Sequence, residues 1–98
     1  MTDTARPAAE AATPLPDLVL YGRDGCHLCD EARAIVTALL SERERAGLAT
    51  PTLVERDITA NDAWERAFLT TIPVLELGAE RLELATSPAK IRRLLEQA

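Results

Sequence analysis

Cys26 and Cys29 are the two cysteines of this 98-residue chain, and they lie between a predicted strand and a predicted helix. The apolar run at residues 18–21 precedes them and is closed by glycines, which predicts a buried strand and a turn. After them, apolar residues recur at helical spacing and predict one apolar helix face, formed by Leu28, Ala32, Ile35, Val36, Leu39 and Leu40. Two cysteines so close in sequence cannot join distant parts of a fold, which argues against a secreted disulfide scaffold.

The position of the pair at the start of a helix has chemical consequences. Side chains three residues apart inside a helix have Cβ atoms about 5–6 Å apart, whereas a disulfide needs about 3.5–4.5 Å. The bond therefore closes more easily if Cys26 precedes the regular helix, where unpaired N–H groups and the helix dipole also favour a thiolate. We expect Cys26 to be the nucleophile and the more shielded Cys29 to be the resolving thiol of a redox centre.

Length and composition limit the class of protein. The length fits one small domain, and aromatic residues make up only 3%, so the core must consist of Leu, Val, Ile and Ala. Acidic residues outnumber basic ones 16 to 11 without a basic block, which argues against a nucleic-acid partner. No apolar run is long enough to span a membrane, and the start has no signal-peptide pattern. We expect a cytoplasmic monomer without a membrane partner.

The rest of the chain predicts a single α/β domain. Residues 1–16 are rich in Ala, Thr and Pro and predict a flexible tail, and residues 17–98 predict the folded domain. The first helix, at 26–46, should stop at Gly47. A strand at 52–58 is followed by a cap region at 59–61 and by a short helix to 69, in which Asp62 and Glu65 have capping-box spacing. The remaining elements are strands at 72–77 and 81–84 and a last helix, which is capped by Ser87 before Pro88.

The order of these elements resembles the minimal thioredoxin fold, a βαβ unit followed by α, β, β and α, with a four-stranded mixed sheet and three helices. The sequences LY at 20–21, GCHLC at 25–29 and IPVL at 72–75 resemble small bacterial glutaredoxin-like proteins, and the resemblance covers residues 18–97. It implies a cis bond between Ile72 and Pro73. It also implies that the Ile72 main chain pairs with an extended substrate peptide, or with glutathione, beside Cys26.

The resemblance also suggests residues that bind substrate. Arg23 stands where glutaredoxins often have a lysine that contacts a glutathione carboxylate; alternatively it is an exposed loop cation. His27 either stabilises the Cys26 thiolate or is an exposed ring with little influence. Tyr21 either lines the substrate groove or packs. Together with the Thr-Ile-Pro sequence, the candidate substrate-binding residues are Tyr21, Arg23, His27, Thr71, Ile72 and Pro73.

At two places the sequence differs from the patterns of glutaredoxins and thioredoxins, and these differences limit what the resemblance implies about ligands. Glutaredoxins carry a Gly-Gly pair and acidic residues where the glutathione backbone approaches, but this chain has ATSP at residues 85–88. We therefore expect glutathione, although possible as a reductant, to bind weakly or not at all, and we expect no bound cofactor. Thioredoxins carry a buried acid six residues before the first cysteine, and Leu20 occupies that place here.

Three functions remain open at the level of sequence. The leading one is a thiol–disulfide oxidoreductase acting on protein disulfides or low-molecular-weight thiols. The second is a metal or iron–sulfur carrier: two cysteines and one histidine fall short of a closed zinc site, but a cluster shared between two monomers or Cu(I) would suit them. The third is a non-catalytic adaptor. Trp64 and Phe68, one helical turn apart, fit core packing better than a binding platform.

Overall fold

A computed structural model describes residues 15–97 of the chain. It contains a four-stranded sheet, three α-helices and one short 3₁₀-helix. The strands are β1 Leu18–Gly22, β2 Leu53–Asp57, β3 Val74–Leu77 and β4 Glu80–Leu82, and the helices are α1 His27–Arg45, the 3₁₀-helix Ile58–Ala60, α2 Asp62–Phe68 and α3 Pro88–Glu96. The predicted fold class, an α/β domain with a mixed four-stranded sheet and three helices, is confirmed.

The sheet has the strand order β2-β1-β3-β4. β1 runs parallel to β2 and antiparallel to β3, and β3 and β4 form an antiparallel hairpin. Parallel strands need a crossover connection, and α1 provides it between β1 and β2. β1 is one of the two central strands of the sheet. The cysteine pair follows it after a short turn and therefore lies at the end of a central strand, away from the edge strands.

Alternation along the strands divides the buried residues into two clusters. The larger cluster joins Leu18 and Leu20 of β1 to apolar residues of α1, β3 and α3, among them Val36, Leu75 and Ile91. The smaller cluster contains Cys29, Ile58, Phe68, Ile72 and Val74, with Tyr21, Cys26 and Trp64 packed against it. The dithiol therefore belongs to the smaller cluster.

The residues at the helix ends explain where the helices begin and end. Gly47, with φ +73°, comes directly after the C-cap of α1, as its sequence position predicts. The Ser87 hydroxyl accepts a hydrogen bond from the Lys90 N–H at 3.2 Å and caps α3. The predicted cap region at 59–61 contains the N-cap of α2, whereas Asp62, the residue with capping-box spacing, is the first residue of the helix. Asn61 caps α2, because its backbone is extended and its Oδ1 accepts from two N–H groups of the first turn.

Three predicted strand ends differ from the structure. The predicted strand at 52–58 ends at Asp57, whose side chain accepts from the Thr59 N–H and caps the 3₁₀-helix. The Thr59 hydroxyl donates to the same carboxylate at 2.7 Å, and this bond, followed by the one from the Thr59 N–H, lowers the pKa of the Asp57 carboxyl. The predicted strand at 81–84 ends at Leu82, because Leu84 adopts a left-handed φ of +49°. The predicted strand at 72–77 begins only at Val74.

Most of the predicted tail, residues 1–14, lies outside the described residues. Within residues 15–97, none of the helices is both long enough and apolar enough to cross a bilayer.

Candidate redox site

The cysteine pair forms a disulfide across the first turn of α1. Cys26 is the N-cap residue with extended backbone angles, φ −94° and ψ 103°, and Cys29 lies inside the helix. The Cα atoms of the two cysteines are 5.2 Å apart, within the usual range for a disulfide. Because Cys26 is not bound by helical geometry, its side chain turns back toward the helix and the bond closes.

The helix terminus supplies a polar partner to the Cys26 sulfur. The Cys29 N–H donates to Cys26 Sγ at 3.1 Å, which is the position that a capping oxygen takes in other helices. The first-turn N–H groups carry the positive end of the helix dipole. N–H donors at a helix N-terminus are of the kind that favours a thiolate over a neutral thiol.

The two sulfur-bearing residues differ in access to solvent. Cys26 is partly exposed, whereas Cys29 is only 1% exposed. Cys29 packs in one cluster with Ile58, Phe68 and Ile72. A reagent from solvent therefore reaches Cys26 first.

The segment before β3 is held by the loop that precedes α3. The peptide bond between Ile72 and Pro73 is cis, and Pro73 is fully buried. The Thr71 carbonyl accepts from the Leu84 N–H at 2.9 Å, and the Pro73 carbonyl accepts from the Ala85 N–H at 2.8 Å. These two hydrogen bonds fix the backbone on both sides of Ile72.

The main chain of Ile72 is only partly available to a substrate. Its N–H donates to the Phe68 carbonyl at 3.1 Å, so a substrate that pairs with the Ile72 N–H would have to break that bond. The Thr71 hydroxyl also donates to the Phe68 carbonyl, at 3.3 Å. The predicted substrate residues Thr71 and Ile72 are therefore tied to the end of α2.

Tyr21 belongs to an aromatic cluster beside the dithiol. Its ring meets the Phe68 ring with centroids 4.6 Å apart and the Trp64 ring edge-on at 5.8 Å. Its hydroxyl donates to Glu76 Oε1 at 3.1 Å, and Arg81 binds the other oxygen of Glu76 at 2.7 Å. Burial, followed by the contact with Glu76, raises the pKa of Tyr21.

Sequence reasoning missed the Glu76–Arg81 pair. The two residues face each other directly across the β3–β4 hairpin, and the Arg81 guanidinium also lies 5.0 Å from the Phe68 ring centroid. The sequence does contain a signal for this pair, because Glu76 and Arg81 have opposite charges and lie at equal distances on either side of the predicted turn at 78–79.

A cavity of about 340 Å³ opens beside Cys29, between the start of α1 and the ends of β1 and β2. Arg23 lines it, together with Gly22 and Arg33. The Arg33 guanidinium donates to Glu55 at 2.7 Å and to Asp30 at 3.0 Å. The structure thus places Arg23 at the cavity beside Cys29, within a set of charges that includes both signs.

His27 lies on the exposed side of the first helical turn. Its side chain is 85% exposed, and its Nε2 is 2.9 Å from Glu31 Oε2, one turn along the helix. This position agrees with the interpretation of His27 as an exposed ring.

Comparison with known proteins places the chain in a family. The model of the glutaredoxin-like domain family (DUF836) matches residues 17–97. The chain belongs to this glutaredoxin-like family. No curated protein gives a significant match.

Solved structures agree with this assignment. The X-ray structure of Northeast Structural Genomics target protein XcR50 from X. campestris matches with a TM-score of 0.66 and 29% identity over 83% of this chain and 97% of that chain. The solution structure of the same target gives a TM-score of 0.64 at 29% identity, over 84% of this chain and 95% of that one. Protein Ne2328 from Nitrosomonas europaea, solved by NMR, matches with a TM-score of 0.51 and 28% identity over 72% of this chain and 75% of that chain.

A glutaredoxin-like domain with a cysteine pair at disulfide distance fits a thiol redox role. Within residues 15–97, no three or more His, Cys, Asp and Glu side chains are grouped so that they could hold a metal ion.

The difference in exposure leads to a first prediction. In the reduced protein, iodoacetamide at neutral pH should modify Cys26 well before Cys29, because only Cys26 combines access with a thiolate-stabilising helix terminus. Peptide mass spectrometry after short exposure measures the two rates, and urea-unfolded protein, in which both thiols are exposed, is the control. Preferential labelling of Cys29 in the folded protein would contradict the assignment of roles.

Proposed function

We propose that this protein is a thiol–disulfide oxidoreductase with Cys26 as nucleophile and Cys29 as resolving thiol. The observation that carries the proposal is the asymmetric pair at the start of α1, in which one sulfur is accessible at the N-cap and the other is buried one turn inside. Membership of the glutaredoxin-like family supports it.

The reaction proceeds by two thiol–disulfide exchanges. The Cys26 thiolate attacks one sulfur of the substrate disulfide, so that a mixed disulfide forms and the other substrate sulfur leaves as a thiolate that takes a proton from solvent. Cys29 then loses its proton and attacks Cys26 Sγ, which releases the second substrate thiol and leaves the Cys26–Cys29 disulfide. The substrate gains two electrons and two protons, and an external dithiol returns the protein to its reduced form.

Neighbouring charges moderate the reactivity of Cys26. The carboxylates of Asp30 and Glu31 follow the pair and oppose a second negative charge. Each has a partner, since Asp30 binds the Arg33 guanidinium and Glu31 lies 2.9 Å from the His27 ring. The opposition to a Cys26 thiolate is therefore weaker than the bare sequence indicates.

The substrate class that fits the site best is a protein disulfide. Glutathione binding requires free groups on the loop before α3, and those groups are already used. The Ala85 N–H donates to the Pro73 carbonyl at 2.8 Å, the Thr86 N–H donates within the loop, and the Ser87 hydroxyl caps α3. We also propose that the protein is a monomer and that it acts in the cytoplasm. The reducing environment of the cytoplasm would keep the two cysteines as thiols that are ready to react.

The second prediction concerns glutathione. Titration of reduced glutathione into the Cys29→Ser protein should give no saturating NMR shifts below about 1 mM, because few polar groups near Cys26 remain free. The amide signals of Thr71, Thr86 and Ser87 are the ones to follow. The same titration on Cys29→Ser with Arg23→Ala added is the matched control, since Arg23 is the cation expected to hold a glutathione carboxylate. Saturation at lower concentration that is lost on Arg23→Ala would contradict the prediction.

The proposed function is tested by trapping. Cys29→Ser, mixed with a small protein that has one accessible disulfide, should accumulate a mixed disulfide on Cys26, because the resolving sulfur is missing. Wild-type protein with dithiothreitol should instead turn the same substrate over. Mass spectrometry detects the adduct, and Cys26→Ser/Cys29→Ser is the control. Two thiols that never form an adduct and never cycle would refute the oxidoreductase and leave the adaptor.

A further inference from the structure

Gly22 is the last residue of β1, and its backbone does not require glycine. Its φ lies outside the left-handed region, unlike those of Gly25, Gly47 and Gly78. What distinguishes Gly22 is its neighbour. A Cβ atom built on Gly22 would lie 3.1 Å from Cys29 Sγ and 3.2 Å from Cys29 Cβ. Non-bonded carbon atoms prefer about 3.5–4.0 Å, so a methyl group there would push Cys29 away by a few tenths of an ångström.

Cys29 has little room to yield to such a push. Its side chain is 1% exposed and packs among Ile58, Phe68 and Val74. In the oxidised protein its sulfur is also bonded to Cys26, whose backbone is fixed as the N-cap of α1. In the reduced protein that bond is absent, and the sulfur can rotate about the Cα–Cβ bond into another staggered position.

We propose that Gly22 is a positioning residue for the redox equilibrium. Its missing side chain leaves the space in which Cys29 Sγ lies when the disulfide is closed. A methyl group at this position disfavours the disulfide more than the dithiol, because only the dithiol can relieve the contact with Cys29 Sγ by rotation, whereas the contact with Cys29 Cβ remains in both forms. This proposal rests on the proposed function only in that the pair must oxidise and reduce reversibly; no substrate is involved.

The test is the exchange equilibrium with dithiothreitol. The Cys26–Cys29 bond breaks and takes up two electrons and two protons, while dithiothreitol loses the same number and closes its own disulfide. Gly22→Ala should shift this equilibrium toward the protein dithiol by about tenfold, which is about 30 mV. Alkylation followed by mass spectrometry gives the dithiol fraction. Trp64, the single tryptophan, packs against the cluster that contains Cys29 and provides an independent fluorescence signal.

Gly47→Ala is the matched control. Gly47 has φ +73° and no atom within 4 Å of an added Cβ, so alanine there strains the backbone without touching the dithiol. It should lower the free energy of unfolding and leave the exchange equilibrium unchanged. A shift of less than about twofold for Gly22→Ala, or a shift equal to that of Gly47→Ala, would overturn the proposal.

Two further outcomes are informative. If oxidised Gly22→Ala does not fold while the reduced variant does, the proposal is supported, because the methyl group then acts against the disulfide state alone. If neither form folds, the role of Gly22 does not depend on oxidation and the proposal is overturned. Failure of the proposed function gives a different result, since Cys29→Ser would then trap no protein disulfide while the equilibrium of the wild-type protein with dithiothreitol could still be measured.

Discussion

Cys26→Ser is expected to lower the rate of disulfide reduction by at least about a thousandfold, the scale of loss seen when an enzyme loses its nucleophile. A serine hydroxyl does not ionise near neutral pH and does not attack a disulfide. The substitution should cost little stability apart from the lost disulfide. Serine is a preferred N-cap, and its oxygen can accept the Cys29 N–H that Cys26 Sγ accepts now.

The measurement is turnover of a protein disulfide with dithiothreitol as the reductant, compared with the uncatalysed exchange. His27→Ala is the matched control, because His27 directly follows Cys26 but its exposed ring contacts Glu31 instead. It should change turnover by no more than about threefold. Turnover by Cys26→Ser close to that of His27→Ala would show that Cys26 is not the nucleophile. Far-UV circular dichroism of both variants excludes unfolding as the cause of any loss.

The elements that the sequence predicted well are those whose signals are local. The apolar period of α1, the glycine that follows it and the Ser-Pro start of α3 depend on neighbouring residues alone, and they lie where the sequence predicts them. The exception is Leu28, which is 45% exposed and does not belong to the buried face of α1. The end of β4 is an error of another kind, because a distant partner decides it. β4 ends early because the Leu84 N–H bonds to the Thr71 carbonyl, and no residue near Leu84 in sequence indicates that partner.

The same distinction holds at the site. The C-x-x-C pair and its helix were visible because they are contiguous. The contact of Tyr21 with Glu76 joins residues 55 positions apart, and it depends on the register between β1 and β3. Gly22 and Cys29 are close in sequence, but their contact depends on how closely α1 approaches the sheet. Strand register and helix approach are set by packing of the whole domain, which single-sequence patterns do not contain.

Phe68→Ala is expected to be the most destabilising single change near the site. Phe68 is 5% exposed, and its ring contacts Tyr21 and the Arg81 guanidinium. Truncating a buried phenylalanine costs about 3–5 kcal/mol through lost contacts and the cavity that remains. Domains of this kind are stable by about 5–15 kcal/mol, so the loss would be a large fraction of the total.

Urea unfolding of the oxidised protein, followed by circular dichroism, measures the free energy of unfolding. Leu69→Ala is the matched control, because Leu69 is the next residue but is 48% exposed, and it should cost less than about 1 kcal/mol. Phe68 shares its cluster with Cys29, so the cavity should also admit reagents to the resolving thiol. In the reduced Phe68→Ala protein, Cys29 should therefore be alkylated faster than in Leu69→Ala. Equal stabilities and equal Cys29 rates in the two variants would show that Phe68 neither supports the fold nor shields the dithiol.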